Sequence, residues 1–274
     1  MPEITLGGVT ISSVTNQPRR LSMLLWGVPG CGKTTLAATA PGKKLFLSFD
    51  PDGTTSIGNA PEDEILVADF SSMKPIEVEK LSTNDNPLKL KEFIEENKVN
   101  TVVIDSMTSL ENLALFRAVQ LAGGQATNLK PTIGAYQYRN SLMLNIVRRL
   151  MRLTVETKTH IIFLAHENAP EKNEDGAVIQ IGLMLGGKLP TIAPVDLSEV
   201  WVIRDDGKGK RHIAVRPCRM RAPMKTRMFS TSTSPEFEWR FDPDTWKGDG
   251  TIANWYNKWI DNGGKKIPLP NVSK

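Results

Sequence analysis

Gly27-Val28-Pro29-Gly30-Cys31-Gly32-Lys33-Thr34 decides how the rest of this sequence is read. The octapeptide matches G-x-x-x-x-G-K-[ST] in full. It stands between an apolar run, Leu21 to Trp26, and an Ala- and Leu-containing stretch, Lys33 to Ala40, that stops before Pro41. Strand, glycine turn and helix in that order are the context in which such a loop binds phosphate. The glycines let successive backbone N–H groups converge on an anion, and the start of the helix adds its positive end. Lys33 is suited to neutralise the β- and γ-phosphates of a nucleotide and the Thr34 hydroxyl to coordinate Mg2+; Thr35 completes the expected nucleotide-binding set. An ordinary glycine turn ahead of a helix gives no reason for a lysine and a threonine at those two positions.

Further strands are expected at Leu45 to Phe49, Ile65 to Ala68, Thr101 to Asp105 and His160 to Ala165, and helices at Leu88 to Asn97, Ser109 to Leu121 and Ile133 to Glu156. The strands are continuously apolar and alternate with helices, which implies an α/β fold with a mostly parallel sheet covered on both faces. Beyond His166 the texture changes. Glu167 to Pro194 is polar and glycine-rich and reads as a long functional loop. Ser198 to Ile203, Arg211 to Val215 and Arg227 to Ser230 read as short strands in hairpins. Ile252, Trp255, Tyr256, Trp259 and Ile260 recur at helical spacing, predicting an amphipathic terminal helix stopped by Gly263-Gly264. The organisation expected is an N-terminal arm or edge strand over 1–20, a core over 21–230, and a Trp-rich C-terminal extension over 231–274.

Composition narrows the classes. The chain has 274 residues, 40% hydrophobic and 23% charged, with 9 Phe, 6 Trp and 3 Tyr, so it can bury a core without disulfides or a structural metal. Cys31 and Cys218 read as reduced thiols. The N-terminus has no basic stretch leading into an apolar one, and no run approaches the ~20 apolar residues of a membrane span; the expected location is cytoplasmic. Net charge is only +4, but between Arg204 and Arg227 nine basic residues face two acids. Such a block is either a solvated face or a phosphate-binding one.

A Mg2+ ion at the loop needs a further carboxylate at the end of a neighbouring strand, and Thr101-Val102-Val103-Ile104-Asp105 supplies Asp105. The nearest string to a guanine reader, Asn97-Lys98-Val99-Asn100, lacks the required Asp and precedes that strand, so ATP is favoured over GTP.

In this setting the sequence resembles the RecA family. Phe49-Asp50-Pro51-Asp52-Gly53 is similar to the string that carries a water-activating Glu after the second strand; the resemblance assigns that role to Asp52, with Asp50 as the second candidate and a turn around Pro51 as the plainer reading. Asp105-Ser106 resembles the end of the family's metal strand. Ile161 to His166 resembles the strand whose terminal polar residue senses the γ-phosphate, which points to His166 and makes Glu167 to Pro194, with Lys188, the counterpart of a DNA-binding loop. Lys225-Thr226-Arg227 looks like the Lys-x-Arg string that RecA- and RadA-like proteins insert into a neighbour's nucleotide site; a solvated basic strand is the alternative. In their order these strings most resemble the compact RecA-like ATPases of bacteriophages, phage nucleotide-binding proteins or Sak-type single-strand annealing recombinases, over about residues 20 to 230.

The resemblance implies an ATP- and Mg2+-dependent ATPase stimulated by single-stranded DNA. It would act in the host cytoplasm as a ring or filament of copies of itself, with a single-strand DNA-binding protein as a further candidate partner. Assembly is expected because Lys33 is the only cation the sequence visibly provides to the site. Tyr136, Tyr138, Arg139, Arg148, Arg149 and Arg152 on the long helix read equally as a candidate DNA face or as ordinary helix surface. A nucleotide-gated loader with little turnover stays open because Asp52 is shorter than Glu, whereas the Arg-poor segment after His166 argues against a small-molecule kinase.

Overall fold

The computed structural model describes residues 4–6, 9–11, 19–61, 64–83, 86–123 and 131–271. Along the chain run β1 (Ile4–Leu6), β2 (Val9–Ile11), β3 (Ser22–Gly27), α1 (Lys33–Ala38), β4 (Lys44–Ser48), β5 (Ile65–Asp69), α2 (Leu90–Asn97), β6 (Thr101–Asp105), α3 (Met107–Leu121), α4 (Ile133–Glu156), β7 (His160–His166), β8 (Glu171–Lys172), β9 (Val178–Gln180), α5 (Leu189–Ile192), β10 (Glu199–Asp205), β11 (Arg211–Ala214), β12 (Glu236–Trp239) and α6 (Ile252–Asp261). The expected N-terminal arm falls largely outside the described residues; within it β1 and β2 pair as a separate two-stranded sheet.

The main sheet has eight strands in the order β12-β11-β10-β3-β7-β6-β4-β5. The six from β10 to β5 are parallel, and β11 and β12 extend the β10 edge in antiparallel fashion. β7 separates the phosphate-loop strand β3 from the carboxylate strand β6, an arrangement of the RecA-like α/β fold. All their carboxyl ends therefore meet at one edge, where ligands of open α/β sheets bind.

Strand alternation divides the core between two faces. Leu24, Trp26, Leu45, Leu47, Val102, Ile104, Ile161 and Phe163 pack with residues of α2, α3 and α4. Their neighbours Met23, Leu25, Phe46, Val103, Ile162 and Leu164 pack with α1 and the C-terminal segment. Burial on both faces is why these strands read as unbroken apolar runs.

The C-terminal extension is part of this second layer. Trp255 of α6 meets the rings of Trp201, Phe229 and Phe237 at centroid distances of 5.9, 5.9 and 5.4 Å. The third hairpin strand is Glu236–Trp239, not Arg227 to Ser230; Met228 and Phe229 are buried, but this segment joins a neighbour only through an isolated bridge at Phe229↔Ile267 among the described residues. The sheet thus crosses the expected boundary at residue 230. The segment after His166 is also more structured than expected: β8 and β9 form a hairpin, and Gly182 to Gly187 returns against α3. No helix among the described residues is long and apolar enough to cross a membrane.

Candidate nucleotide site

The loop after β3 adopts the strained turn its glycines permit. Gly27, Gly30 and Gly32 have φ of 153°, 77° and 99°. Gly27 is the tightest, since a Cβ there would stand 2.1 Å from the Ile203 carbonyl oxygen. Among the described residues, the N–H groups of Gly32 and Thr34 have no backbone acceptor and are open to an anion, while the Lys33 N–H donates to the Cys31 sulfur. The Lys33 ammonium is buried over the loop and donates to the carbonyls of Gly27 and Val28 at 3.1 and 2.9 Å. Cys31 is packed beneath it, and burial raises its thiol pKa.

The loop opens onto a cavity of about 640 Å³ lined by Gly30, Gly32, Lys33, Thr34, Thr35, Asp50, Asp105, His166 and Arg211, among others. The volume is in the range of small-ligand sites. Thr34 donates its hydroxyl to Asp105 Oδ2 at 2.9 Å. Asp105 is 5% exposed, and burial pushes its pKa up to about 6, aided by the charge of Asp50 and opposed by the Thr34 hydrogen bond and Lys33. A hydroxyl and a carboxylate side by side form a hard oxygen donor pair. That pair fits Mg2+, which takes few protein ligands and completes its shell with phosphate and water. No cluster of three or more His, Cys, Asp or Glu suited to a metal occurs among the described residues.

Of the two aspartates after β4, Asp50 faces this cavity. Ser109, in the first turn of α3, donates its hydroxyl to Asp50 Oδ1, and His166 Nε2 lies 4.0 Å from Asp50 Oδ2. Asp52 is not brought to the loop. It sits exposed at φ 56° in the turn after Pro51 and lines an adjoining depression with Asp50, Val67 and Asp69, while its carbonyl accepts from Thr55.

His166 ends β7 at the cavity wall. Its N–H donates to the Thr108 hydroxyl at 3.0 Å, its carbonyl accepts from Met184, and its Nδ1 is buried without a hydrogen-bond partner among the described residues. Burial, then the Lys33 charge, lowers its pKa against the pull of Asp50, so the neutral imidazole is favoured.

Lys225 and Arg227 are far from their own chain's loop. Lys225 pairs with Val200 and donates its ammonium to the Val195 carbonyl, and the Arg227 N–H donates to Glu199. Glu199 is in register with Met23, at the end of the sheet opposite Gly27.

The expectation that Lys33 is the site's only cation does not hold, because the β10–β11 hairpin returns Arg211 to the cavity. Arg211 was legible only as one of nine basic residues, and Ser109 only as a serine one turn beyond Asp105-Ser106. The candidate DNA face on α4 is also altered. Arg139 is 6% exposed and paired with Glu111 at 3.2 Å, Tyr138 donates to Glu79, and Arg148 lies 3.7 Å from Asp196. In the basic segment, β12 brings Glu236 beside Arg204 and Arg219, which tempers the local charge. Lys188 is exposed at the start of α5.

The sequence profile described as AAA domain matches residues 19–220. No curated protein matches the chain. Among solved structures, a KaiC-like protein from the hyperthermophilic archaeon Pyrococcus horikoshii is similar at a TM-score of 0.44 and 17% identity, over 82% of this chain and 87% of that one.

Proposed function

Because the chain belongs to the AAA domain family, and is thus a P-loop ATPase, we propose that it hydrolyses ATP with Mg2+ in a cycle coupled to single-stranded DNA, in phage-type recombination or annealing. One observation carries the hydrolytic part: a cradle lysine, a Thr–Asp oxygen pair and a second carboxylate held by a serine line a single cavity.

In the proposed reaction a water oxygen forms a bond to the γ-phosphorus while the bond from that phosphorus to the bridging oxygen breaks. The electron pair leaves with ADP, and a water proton passes to a base. Asp50 is that base. Ser109 occupies its Oδ1, which leaves Oδ2, the oxygen nearer His166, to orient the water. Lys33 neutralises phosphate charge, and neutral His166 hydrogen-bonds to the γ-phosphate. Thr34 and Asp105 hold the Mg2+, which supplies further charge neutralisation on the phosphate oxygens when bound.

Support for the DNA part lies in the residue after the sensor. Glu167 accepts both forks of Arg221 at 2.8 and 3.0 Å, so the basic segment is tied directly to the end of β7. A change at His166 is transmitted to that segment through one bidentate pair. Exposed Lys208, Arg216 and Arg227 would then meet DNA phosphates.

Phosphate release with and without single-stranded DNA, at low and moderate salt, tests the reading. Expected are stimulation by DNA that weakens as salt rises, a loss of about 10²–10⁴-fold in turnover for Asp50→Asn with ATP binding retained, and near-normal turnover for Asp52→Asn. ATP binding with no turnover under any condition would instead identify a nucleotide-gated loader. Turnover indifferent to DNA would remove the DNA role.

A further inference from the structure

Arg211 opens β11, directly across the antiparallel pair from Asp205 at the end of β10. β10 runs parallel to β3, with Val202 in register with Trp26, so the hairpin sets Arg211 level with the phosphate loop. It reaches the loop from the side of β3 opposite the strands that carry Asp105 and Asp50.

Its guanidinium lies against the loop backbone. A Cβ at Gly32 would stand 3.1 Å from Arg211 Nη1 and 2.9 Å from the Trp239 ring, so glycine is what allows the approach. The guanidinium carbon is 5.7 Å from the Trp239 ring centroid, and that ring is fixed by its N–H donating to the Gly250 carbonyl at 2.7 Å. Arg204, Arg219 and Arg221 line a different depression and are engaged: Arg204 and Arg219 with Glu236, and Arg221 with Glu167. Arg211 has no carboxylate at ion-pair distance among the described residues. Its charge is felt at Cys31 inside the loop. A planar guanidinium braced on an aromatic face, with free N–H groups beside a phosphate cradle, is matched to oxygen pairs on phosphate.

We propose that Arg211 contacts the triphosphate in cis, so that each protomer carries a complete hydrolytic site and turnover does not require a basic residue from a neighbour. The role is the one that an inserted cation plays elsewhere, stabilising charge that builds on phosphate oxygens as the terminal bond breaks. It rests on the ATPase reading above and contrasts with delivery of Lys225 or Arg227 by a neighbour.

The test uses the full chain, with Mg·ATP as the probe and thermal melting as the folding control. Wild-type turnover per protomer should stay constant on dilution. R211A should lose about 10³-fold or more in turnover, the scale of an arginine acting on phosphoryl transfer, and bind ATP at least tenfold more weakly. R211K, which keeps charge and much of the stem packing but loses the fork, should fall between and serves if R211A does not fold. Mixing R211A with excess K33A is decisive: a cis residue gives no recovery, whereas a residue acting in trans is restored by the K33A partner. Recovery on mixing, or R211A and R211K with wild-type turnover and ATP affinity, overturns the proposal. A wild-type protein that releases no phosphate defeats the ATPase reading instead; equal ATP affinity of wild type and both variants would then still overturn the Arg211 contact.

Discussion

Asp105→Asn should stabilise the metal-free protein while removing its capacity to bind Mg·ATP productively. The carboxylate is 5% exposed and faces Asp50, and its pKa rises from the ordinary 3.8 to about 6, chiefly through burial. A raised folded-state value means that protonation favours the fold. The contribution is complete below the unfolded value and is lost as pH rises through about 6, so the ionised group destabilises the metal-free fold by about 3 kcal/mol at neutral pH. Asparagine keeps an oxygen to accept from the Thr34 hydroxyl, which donates at 2.9 Å in the native pair, but carries no charge. Urea denaturation in the presence of a chelator, near pH 8 and near pH 4, reads the difference directly. The variant should be more stable near pH 8 by up to about 3 kcal/mol, and the gap should close near pH 4. Added Mg·ATP should reverse the order, because a ligand stabilises only the chain that binds it. A variant no more stable than wild type near pH 8, or a gap that does not change with pH, would refute the reasoning.

Other consequences follow from the packing. His160 accepts from the Leu21 N–H at Nδ1, and burial, with the Arg20 charge, lowers its pKa from 6.5 to about 4. Its contribution is therefore full above 6.5 and lost as pH falls toward 4, about 3 kcal/mol in all; His160→Asn, which keeps an acceptor, should flatten that part of the pH–stability curve measured by denaturation. Gly27→Ala drives a Cβ to 2.1 Å from the Ile203 carbonyl, so melting temperature and ATP affinity should both drop. Wild-type affinity in that variant would contradict the loop geometry. Arg139→Met leaves Glu111 buried without its partner, at a cost of about 3–5 kcal/mol. A double-mutant cycle with Glu111→Gln should show strong coupling, and additive effects would deny the pair.

The parallel strands were legible because a strand buried on both faces has one pattern, an unbroken apolar run, and because the loop's glycines and lysine have a single economical explanation. α4 runs Ile133–Glu156 as its helical spacing predicts. What the sequence hid was set by contacts between distant residues. Glu236–Trp239 alternates acid and aromatic over four residues, too short to outweigh the more apolar Arg227 to Ser230 nearby. Whether Asp50 or Asp52 lines the cavity at the loop depends on how the chain turns at Pro51, where Asp52 takes φ 56° and Asp50 is the one in the lining. Arg139 looked like helix surface, yet Glu111 on the adjacent α3 and the returning Gly186 enclose it. Arg211 belongs to the site only because a hairpin returns it beside Gly32, and local sequence does not encode that distance.

The claim on which all of this depends is that the Gly27–Thr34 loop holds the triphosphate of ATP. Calorimetric titration of Mg·ATP into the wild-type chain and Lys33→Ala tests it most directly. Saturable binding of one ATP per wild-type chain, weakened at least tenfold (about 1.4 kcal/mol) in Lys33→Ala, is the predicted result; no binding by the wild type, or equal affinity in the two proteins, would contradict it.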